Sequence, residues 1–182
     1  MNRNMKHFIV IAEAGDFIGE KKLIAQYLCG TWVGEQWQTP DGILWDVIVT
    51  GVGALNVLQS LRALPQDAVL LNIGYAGSSN FAIGSAVVVE EVKLNHPNVS
   101  YSEPRLLLES IPADYVQDAA KSVSAVCYSN TDFVLQSDYV DCVFDMELAY
   151  IAGMGFAHVS SLKIVSDNLS LHAYRAVAAG VE

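Results

Sequence analysis

The chain has 182 residues, which is the length of one domain. Hydrophobic residues make up 52% of it and charged residues 16%, and its net charge is −10 at pH 7. Because a protein of that charge is repelled by phosphate backbones, no nucleic-acid partner is expected.

The apolar stretches of the chain are short. A membrane-spanning helix needs about 20 consecutive apolar residues, whereas the longest runs here, such as residues 68–71 and 86–89, have the length of a strand and end at polar residues. No membrane partner is therefore expected. The mean hydropathy of +0.31 favours a chain that buries further surface in a homodimer or a higher homo-oligomer.

The cysteines and histidines form no metal-binding pattern. Cys29, Cys127 and Cys142 are odd in number and lack the Cys-x-x-Cys spacing. They predict neither a disulfide framework nor a zinc site, so reduced thiols in the cytoplasm are expected. The four histidines have no metal-ligand spacing either. The sequence therefore predicts no metal and no cofactor.

Hydrophobic periodicity predicts strands and helices that alternate along the chain. The predicted strands cover residues 7–12, 31–38, 43–50, 68–73, 85–94, 125–128, 133–136, 138–143 and 158–165. The predicted helices cover residues 18–29, 54–64, 113–122, 146–154 and 171–179. Residues 95–112 are expected to form a loop. This pattern is typical of a single α/β domain over residues 1–182.

Glycines follow two of the predicted strands. An apolar strand runs into Gly74-Tyr75-Ala76-Gly77, where small residues would let a ligand approach the backbone closely. The alternative is a tight turn that needs glycine for a positive φ angle. Gly51-Val52-Gly53 is a partial glycine fingerprint without its third glycine, so close packing of a helix on a strand is favoured there over dinucleotide binding.

Two further segments place carboxylates next to predicted strand ends. The acids of Asp145-Met146-Glu147 precede a helix, where they either stabilise its N-terminus or bind the paired hydroxyls of a ribose, with the thioether packed on the ring. In Ser166-Asp167 the acid stands at the carboxyl end of a strand, where α/β proteins usually bind ligands, and Ser166 could orient it. The alternative is that this segment caps the last helix.

In this order, the segments resemble the nucleoside phosphorylase/nucleosidase superfamily, specifically its methylthioadenosine/S-adenosylhomocysteine nucleosidase branch. The most specific parts are the Met-Glu pair on a helix and the Ser-Asp pair about twenty residues later. The matching stretches are Gly51-Val52-Gly53, residues 72–77, residues 83–89, residues 130–134, Asp145-Met146-Glu147 and Ser166-Asp167. The resemblance covers nearly the whole chain and implies a central mixed, twisted β-sheet flanked by helices in three layers.

The resemblance implies a purine nucleoside N-ribosyl hydrolase whose substrates are a nucleoside and water. Asp167 would protonate N7 of the purine as the glycosidic bond breaks. Glu147 would bind the ribose hydroxyls, with Met146 packed against the sugar. The residues implied around the base and the sugar are Tyr75, Ala76, Gly77, Phe133, Val134, Asp145, Met146, Glu147 and Ser166.

The chain also departs from the family. The nucleosidases carry an acid cluster after the first strand that activates the water, and here Glu13 or Asp16 would serve, of which we take Glu13. Tyr75 replaces the small hydroxyl residue usual before Ala-Gly, so a catalytically impaired nucleoside-binding protein is one alternative. Methylthioadenosine, adenosylhomocysteine and futalosine stay open as substrates.

A nucleoside phosphorylase is the other alternative. Phosphorylases of the superfamily hold phosphate with arginines, one of them just before the central glycine segment. None of the arginines of this chain occupies that position, and Asn72 lies near it. Because phosphate binding needs a cation or a well-formed nest of amides, hydrolysis is favoured.

Overall fold

The computed structural model describes residues 5–13, 19–95 and 106–180. Within these ranges the strands are β1 (His7–Ile11), β2 (Thr31–Val33), β3 (Gln36–Gln38), β4 (Leu44–Val49), β5 (Val69–Gly77), β6 (Ala86–Leu94), β7 (Leu106–Leu107), β8 (Val123–Ser129), β9 (Cys142–Asp145) and β10 (His158–Asp167). The α-helices are α1 (Lys21–Tyr27), α2 (Ala54–Leu61), α3 (Leu148–Gly153) and α4 (Leu171–Ala179).

The described strands belong to one mixed sheet. Its parallel centre contains β4, β1, β5 and β10, in this order. On one side, β10 pairs with β6, β6 with β8, β8 with β9, and β9 returns to β5, so that these strands close into a ring. On the other side, β3 and β2 extend the sheet from β4. The carboxyl ends of β1, β5 and β10 therefore meet at one edge.

Helices cover both faces of the parallel centre, which is why β5 and β10 are buried on both sides. On one face, α1 and α4 pack over a core that includes Ile9, Ile73 and Leu162. On the other face, Val57 and Leu61 of α2 and Ile151 of α3 are buried in a core that includes Phe8, Val10 and Leu70. This arrangement confirms the three-layer α/β/α fold with a mixed sheet.

The last helix forms where the sequence predicts it. The Ser170 hydroxyl accepts a hydrogen bond from the Ala173 amide at 3.2 Å and caps α4, and Gly180 ends the helix in the left-handed conformation at φ 72°. The described helices are short, and none has both the length and the apolar character that crossing a membrane requires.

The helix predicted over residues 113–122 does not form. Two single turns of 3-10 helix, Ala113–Tyr115 and Ala119–Lys121, flank an interruption at which Asp118 is left-handed at φ 51°. Val116 instead pairs with Leu28, and the Gln117 side chain donates to two carbonyl groups near the end of α1. Contacts with α1 thus replace the hydrogen bonds of a local helix.

The strand predicted over residues 133–136 is also absent, and that predicted over 138–143 is displaced to β9. Residues 131–141 are irregular, and Ser79 and Asn80 hydrogen-bond to Tyr139 and Asp141. Within residues 95–112, predicted as a loop, Leu106 and Leu107 pair with β6; residues 96–105 lie outside the described part. A local pattern of apolar residues does not specify whether a segment pairs with a neighbouring strand.

The interpretation of Gly74-Tyr75-Ala76-Gly77 as a tight turn is wrong. Strand β5 continues through Gly74 and Gly77, and neither glycine has a positive φ angle. A Cβ on Gly74 would lie 2.7 Å from the Glu20 carboxylate, and one on Gly77 would lie 3.0 Å from the Asp167 carboxylate. Close approach of the two acids to the backbone, not chain reversal, therefore requires glycine here.

Candidate active site

A cavity of about 300 Å³ opens where β1, β5 and β10 end, at the edge of the sheet where α/β proteins usually bind ligands. A volume of this size is at the small end of the range for ligand pockets. It is lined by Ala12, Glu13, Glu20, Val52, Tyr75, Ala76, Gly77, Asp132, Phe133, Val134, Phe144, Asp145, Met146, Glu147, Ser166, Asp167, Leu169, Leu171 and Tyr174.

Asp167 is the last residue of β10 and is only 1% exposed. Its Oδ2 accepts a hydrogen bond from the Ser166 hydroxyl at 2.7 Å, and its Oδ1 accepts one from the Ser170 amide at 3.2 Å. Burial raises the pKa of the Asp167 carboxyl group, although both hydrogen bonds oppose the rise. The side chain that caps α4 is Ser170 and not Asp167. Asp167 lines the cavity, and Ser166 orients its carboxyl group.

Glu147 precedes α3 and reaches across to the loop after β4. Its Oε1 accepts a hydrogen bond from the Gly53 amide at 3.0 Å, and its Oε2 accepts one from the Met146 amide at 3.3 Å. Burial, and then the nearby Asp145 charge, raise the pKa of Glu147 to about 8. The partial glycine fingerprint thus supplies a backbone donor for an acid of the cavity.

Asp145 also lines the cavity, but its carboxylate is occupied by the protein. Its Oδ2 lies 2.7 Å from Lys163 Nζ, and the side chains of the two residues are 0% and 1% exposed. The Ser129 hydroxyl and the Leu148 amide donate to it as well. Burial alone would raise the pKa of Asp145, but the Lys163 ammonium and these donors hold it below its usual value. Of the two acids before α3, Asp145 is therefore the one that stabilises the N-terminus of the helix, because it accepts a hydrogen bond from the Leu148 amide.

Two glutamates line the cavity at the end of β1. The Glu20 carboxylate is buried and accepts backbone hydrogen bonds from Ala12 at 2.6 Å, Glu13 at 3.3 Å and Tyr75 at 3.0 Å. Burial raises the pKa of Glu20 against the opposing effects of Lys163 and these amides. Glu13 is only partly buried and accepts a hydrogen bond from the Tyr174 hydroxyl at 3.2 Å.

Three aromatic side chains form one wall of the cavity. The ring of Tyr174, on α4, makes an edge contact with Tyr75 at a centroid distance of 6.1 Å and a tilted contact with Phe133 at 5.7 Å. Burial and the neighbouring Glu20 raise the pKa of Tyr75 to about 12, so its phenol stays protonated. An aromatic wall of this kind suits an aromatic ligand.

The structure brings all eleven residues singled out from the sequence to this one cavity. They are Glu13, Tyr75, Ala76, Gly77, Phe133, Val134, Asp145, Met146, Glu147, Ser166 and Asp167. The residues at which Asp16 falls, 14–18, lie outside the described part of the chain. Within that part, no group of three or more His, Cys, Asp or Glu side chains has an arrangement that could hold a metal ion.

Sequence reasoning missed Glu20, Lys163 and Tyr174. An acid in the first turn of a predicted helix is usually explained as a favourable charge at the helix N-terminus, which hid Glu20. Lys163 gave a stronger signal, because a lysine inside a buried apolar strand needs an acidic partner.

The fold and the cavity together define a three-layer α/β protein with an acidic, aromatic-walled ligand pocket at the carboxyl ends of its parallel strands. No protein-family model and no curated protein matches the sequence. Solved structures do match the fold, among them nucleosidases at 14–18% sequence identity.

Three of these structures illustrate the likeness. The MTAN of Chlamydia trachomatis bound to MTA has a TM-score of 0.68 and 16% identity, over 96% of this chain and 90% of that one. The S-adenosylhomocysteine nucleosidase of Streptococcus pyogenes, in complex with 5-methylthiotubericidin, has 0.67 and 14%, over 100% and 93%. The 5′-methylthioadenosine/S-adenosylhomocysteine nucleosidase of S. pneumoniae, with the transition-state inhibitor MT-ImmA, has 0.65 and 18%, over 91% and 86%. The chain therefore has the fold of these nucleosidases, as its sequence motifs predict.

Proposed function

We propose that the protein is a purine nucleoside N-ribosyl hydrolase that releases the base by general acid catalysis. The observation that carries this proposal is the Asp167 carboxyl group, which is buried, oriented by Ser166 and part of the cavity wall. Its raised pKa favours a proton that is available nearer to neutral pH. A positioned acid of this kind contributes about 10²–10⁴-fold to the rate.

The reaction follows from the charges around the cavity. Asp167 donates its proton to N7 of the purine while the bond between C1′ and N9 breaks, which leaves an oxocarbenium-like ribose. Glu147 accepts hydrogen bonds from the ribose hydroxyls, and Met146 packs against the sugar. With a pKa of about 8, Glu147 is mostly protonated at neutral pH in the empty cavity. A sugar that becomes cationic lowers that pKa, because the positive charge favours the ionised carboxylate. Phe133 and Val134 contact the base.

We assign activation of the attacking water to Glu20. Three backbone amides hold its carboxylate in one orientation, and its raised pKa makes it a stronger base than an exposed glutamate. The water adds to C1′ as its proton passes to Glu20. Glu13, which the sequence favours, is the competing candidate for this step.

Water is favoured over phosphate as the nucleophile by the charge of the cavity. Its described lining contains six acidic residues and no lysine, arginine or histidine. Lys163 lies behind the wall and is already paired with Asp145. A phosphate ion would thus meet several carboxylates without a cation to bind it. Methylthioadenosine and adenosylhomocysteine are the substrates with which testing begins, because the nucleosidases of the same fold carry these names.

The first experiment replaces the proposed acid. Asp167→Asn keeps the size and polarity of the side chain but removes its proton, so kcat for purine release is expected to fall about 10²–10⁴-fold. Purine release is followed by chromatography with and without phosphate. Asp67→Asn, at an exposed position before β5, is the matched control and keeps full activity. Undiminished release by Asp167→Asn, or strict dependence on phosphate, would contradict the proposal.

The second experiment separates the two glutamates at the end of β1. If Glu20 activates the water, Glu20→Gln lowers kcat by about 10²-fold or more, and Glu13→Gln lowers it far less. The reverse order would assign the step to Glu13, as the sequence suggests. Both variants are compared at several pH values, since loss of the base removes the acidic limb of the kcat profile.

Nucleoside binding without turnover is a second candidate function. Tyr75 favours it, because its ring occupies cavity space next to Glu20. A thermal-shift measurement with adenine and methylthioadenosine tests it, since stabilisation without base release would support a sensor. The homo-oligomer and the cytoplasmic location stay predictions from the sequence.

A further inference from the structure

The turn between β10 and α4 holds a leucine in an uncommon backbone conformation. Leu169, two residues after the proposed acid, is left-handed at φ 63°. Residues with a side chain avoid this conformation, because their Cβ atom comes too close to the following carbonyl oxygen. A bulky residue keeps it only where the surrounding structure holds it there.

The Leu169 side chain has a place in the cavity that glycine could not fill. It lines the cavity, and its Cδ2 atom lies 3.1 Å from the point at which a Cβ on Gly77 would stand. Gly77 is the residue of β5 that pairs with Asp167. The turn therefore combines a left-handed backbone with an apolar side chain in the cavity wall beside the acid.

The left-handed turn brings a backbone donor to the acid. The Ser170 amide donates back to Asp167 Oδ1 at 3.2 Å, while the Ser166 hydroxyl donates to Oδ2 at 2.7 Å. With a donor on each oxygen, the plane of the carboxyl group is fixed. Burial raises the pKa of Asp167, and both donors oppose that rise. The conformation of Leu169 thus decides whether Oδ1 keeps its donor.

A side chain outside the cavity lining holds this turn in place. Asn168 is exposed, and its Nδ2 donates to the carbonyl oxygens of Ser78 at 2.9 Å and Phe81 at 3.0 Å. We call these two hydrogen bonds the Asn168 clamp. The loop that accepts them is itself anchored, because the buried Ser78 hydroxyl donates to the Cys142 carbonyl at 2.8 Å. The Ser78 amide also donates to the Asp167 carbonyl at 3.1 Å.

We infer that Asn168 is a positioning residue for the proposed acid, Asp167. Its clamp holds Leu169 in the left-handed conformation, which keeps the Ser170 amide on the carboxyl group. This inference rests on the proposed function and adds a residue to its acid. Two hydrogen bonds to carbonyl groups offset a backbone cost of similar size. Without them, Leu169 relaxes to a negative φ angle, and the carboxyl group loses a donor and its fixed plane.

Asn168→Ala removes the clamp and leaves every residue of the cavity lining in place. The kcat for purine release is expected to fall about 5- to 30-fold, which is the cost of one left-handed residue expressed as a population ratio. The loss is expected in kcat more than in KM, because the proton of the acid is needed when the bond breaks. The basic limb of the kcat profile should move to higher pH, since the acid loses a donor that lowers its pKa.

Gln117→Ala is the matched control. Gln117 is also exposed, and its Nε2 donates to two carbonyl oxygens as well, those of Ala25 at 3.0 Å and Leu28 at 2.9 Å, outside the cavity lining. This variant is expected to lower Tm as any surface clamp does, with kcat and its pH profile unchanged. If Asn168→Ala behaved in the same way, Asn168 would be a structural residue only and the inference would be wrong.

Leu169→Gly tests the path from the clamp to the acid. Glycine adopts the left-handed conformation without support. Asn168→Ala is therefore expected to lower kcat far less when it is added to Leu169→Gly than when it is made in the wild type. Equal losses in the two backgrounds would show that Asn168 does not act through Leu169. Should Asn168→Ala fold poorly, Asn168→Ser gives the same comparison, because one hydroxyl can donate to only one of the two carbonyl groups.

Carbon-13 NMR titration of the carboxyl groups separates this inference from the proposed function. The Asp167 signal is identified by its absence from Asp167→Asn, and its pKa is expected to be higher in Asn168→Ala than in the wild type. That shift, without purine release by the wild type, would overturn the hydrolase and keep the positioning role. Purine release with the same kcat and the same Asp167 pKa in both proteins would overturn the positioning role and leave the hydrolase intact.

Discussion

The ion pair between Lys163 and Asp145 gives the sharpest test of the structure. Both side chains are buried, and Nζ lies 2.7 Å from Oδ2. Coulomb's law at this distance gives an attraction of about 6 kcal/mol for an effective dielectric constant near 20. Desolvation offsets part of it, but removal of one partner leaves a buried charge, which costs about 3–5 kcal/mol. Lys163→Met is therefore expected to lower the free energy of unfolding at pH 7 by about that amount.

Urea unfolding of four proteins measures this coupling: wild type, Lys163→Met, Asp145→Asn and the double variant. Because the double variant holds no unpaired charge, it is expected to be more stable than the sum of the single losses implies. Lys121→Met is the matched control, since its ion pair with Asp118 is exposed and contributes less than about 1 kcal/mol. Additive losses, or a loss for Lys163→Met no larger than that of the control, would refute the reasoning.

The pH dependence gives an independent check of the same pair. In the wild type the pKa of Asp145 is held below its usual value, so its contribution to stability is present at neutral pH and is lost only as pH falls through the lowered pKa. Without Lys163, burial raises the pKa of Asp145, and the folded state gains from protonation as pH falls. The difference between the two proteins should therefore be larger at pH 7 than at pH 4.5. A constant difference would contradict the assignment.

Three further predictions concern the cavity and its supports. Gly74→Ala places a Cβ 2.7 Å from the Glu20 carboxylate, so a loss of about 1–3 kcal/mol and weaker base release are expected, whereas Gly153→Ala, with open space around it, should not destabilise the protein. Chemical unfolding compares the two, and equal effects would count against the close packing. Because the pKa of Glu147 rises from 4.5 to about 8 on folding, this group lowers stability as pH increases through that interval; Glu147→Gln should flatten the curve of Tm against pH, and an unchanged slope would argue otherwise. Ser170→Ala removes the hydrogen bond to the Ala173 amide and should cost about 1 kcal/mol by thermal unfolding, and no loss would show that the cap is unimportant.

Local chemistry made several features predictable from the sequence. The helix over residues 171–179 has a serine before it and a glycine after it, and both signals act within one turn of the chain. Asp167 could be singled out because it follows a long buried strand, and in α/β folds that end of a strand is where ligands bind.

Other features depend on partners that are distant in the chain. The partner of Lys163 could not be predicted, because β10 and β9 are not neighbours in the sheet and meet only through the closed ring of strands. The irregular segment 131–141 has apolar residues at strand-like positions, but its contacts with Ser79 and Asn80 replace those of a neighbouring strand. Phe133 reaches the cavity through this segment all the same.

The sequence by itself determined most of the alternation of strands and helices and the α/β class, because both depend on residues close together in the chain. It also singled out four of the six acids in the cavity lining, which are Glu13, Asp145, Glu147 and Asp167. The tertiary structure alone decided which groups each acid contacts. Asp145 forms an ion pair with the buried Lys163. Glu20 accepts a hydrogen bond from the Tyr75 amide, and Glu13 accepts one from the Tyr174 hydroxyl, which is 161 residues away in the chain. Charge and orientation depend on the groups that folding brings within a few ångströms, and the order of residues does not specify these distances.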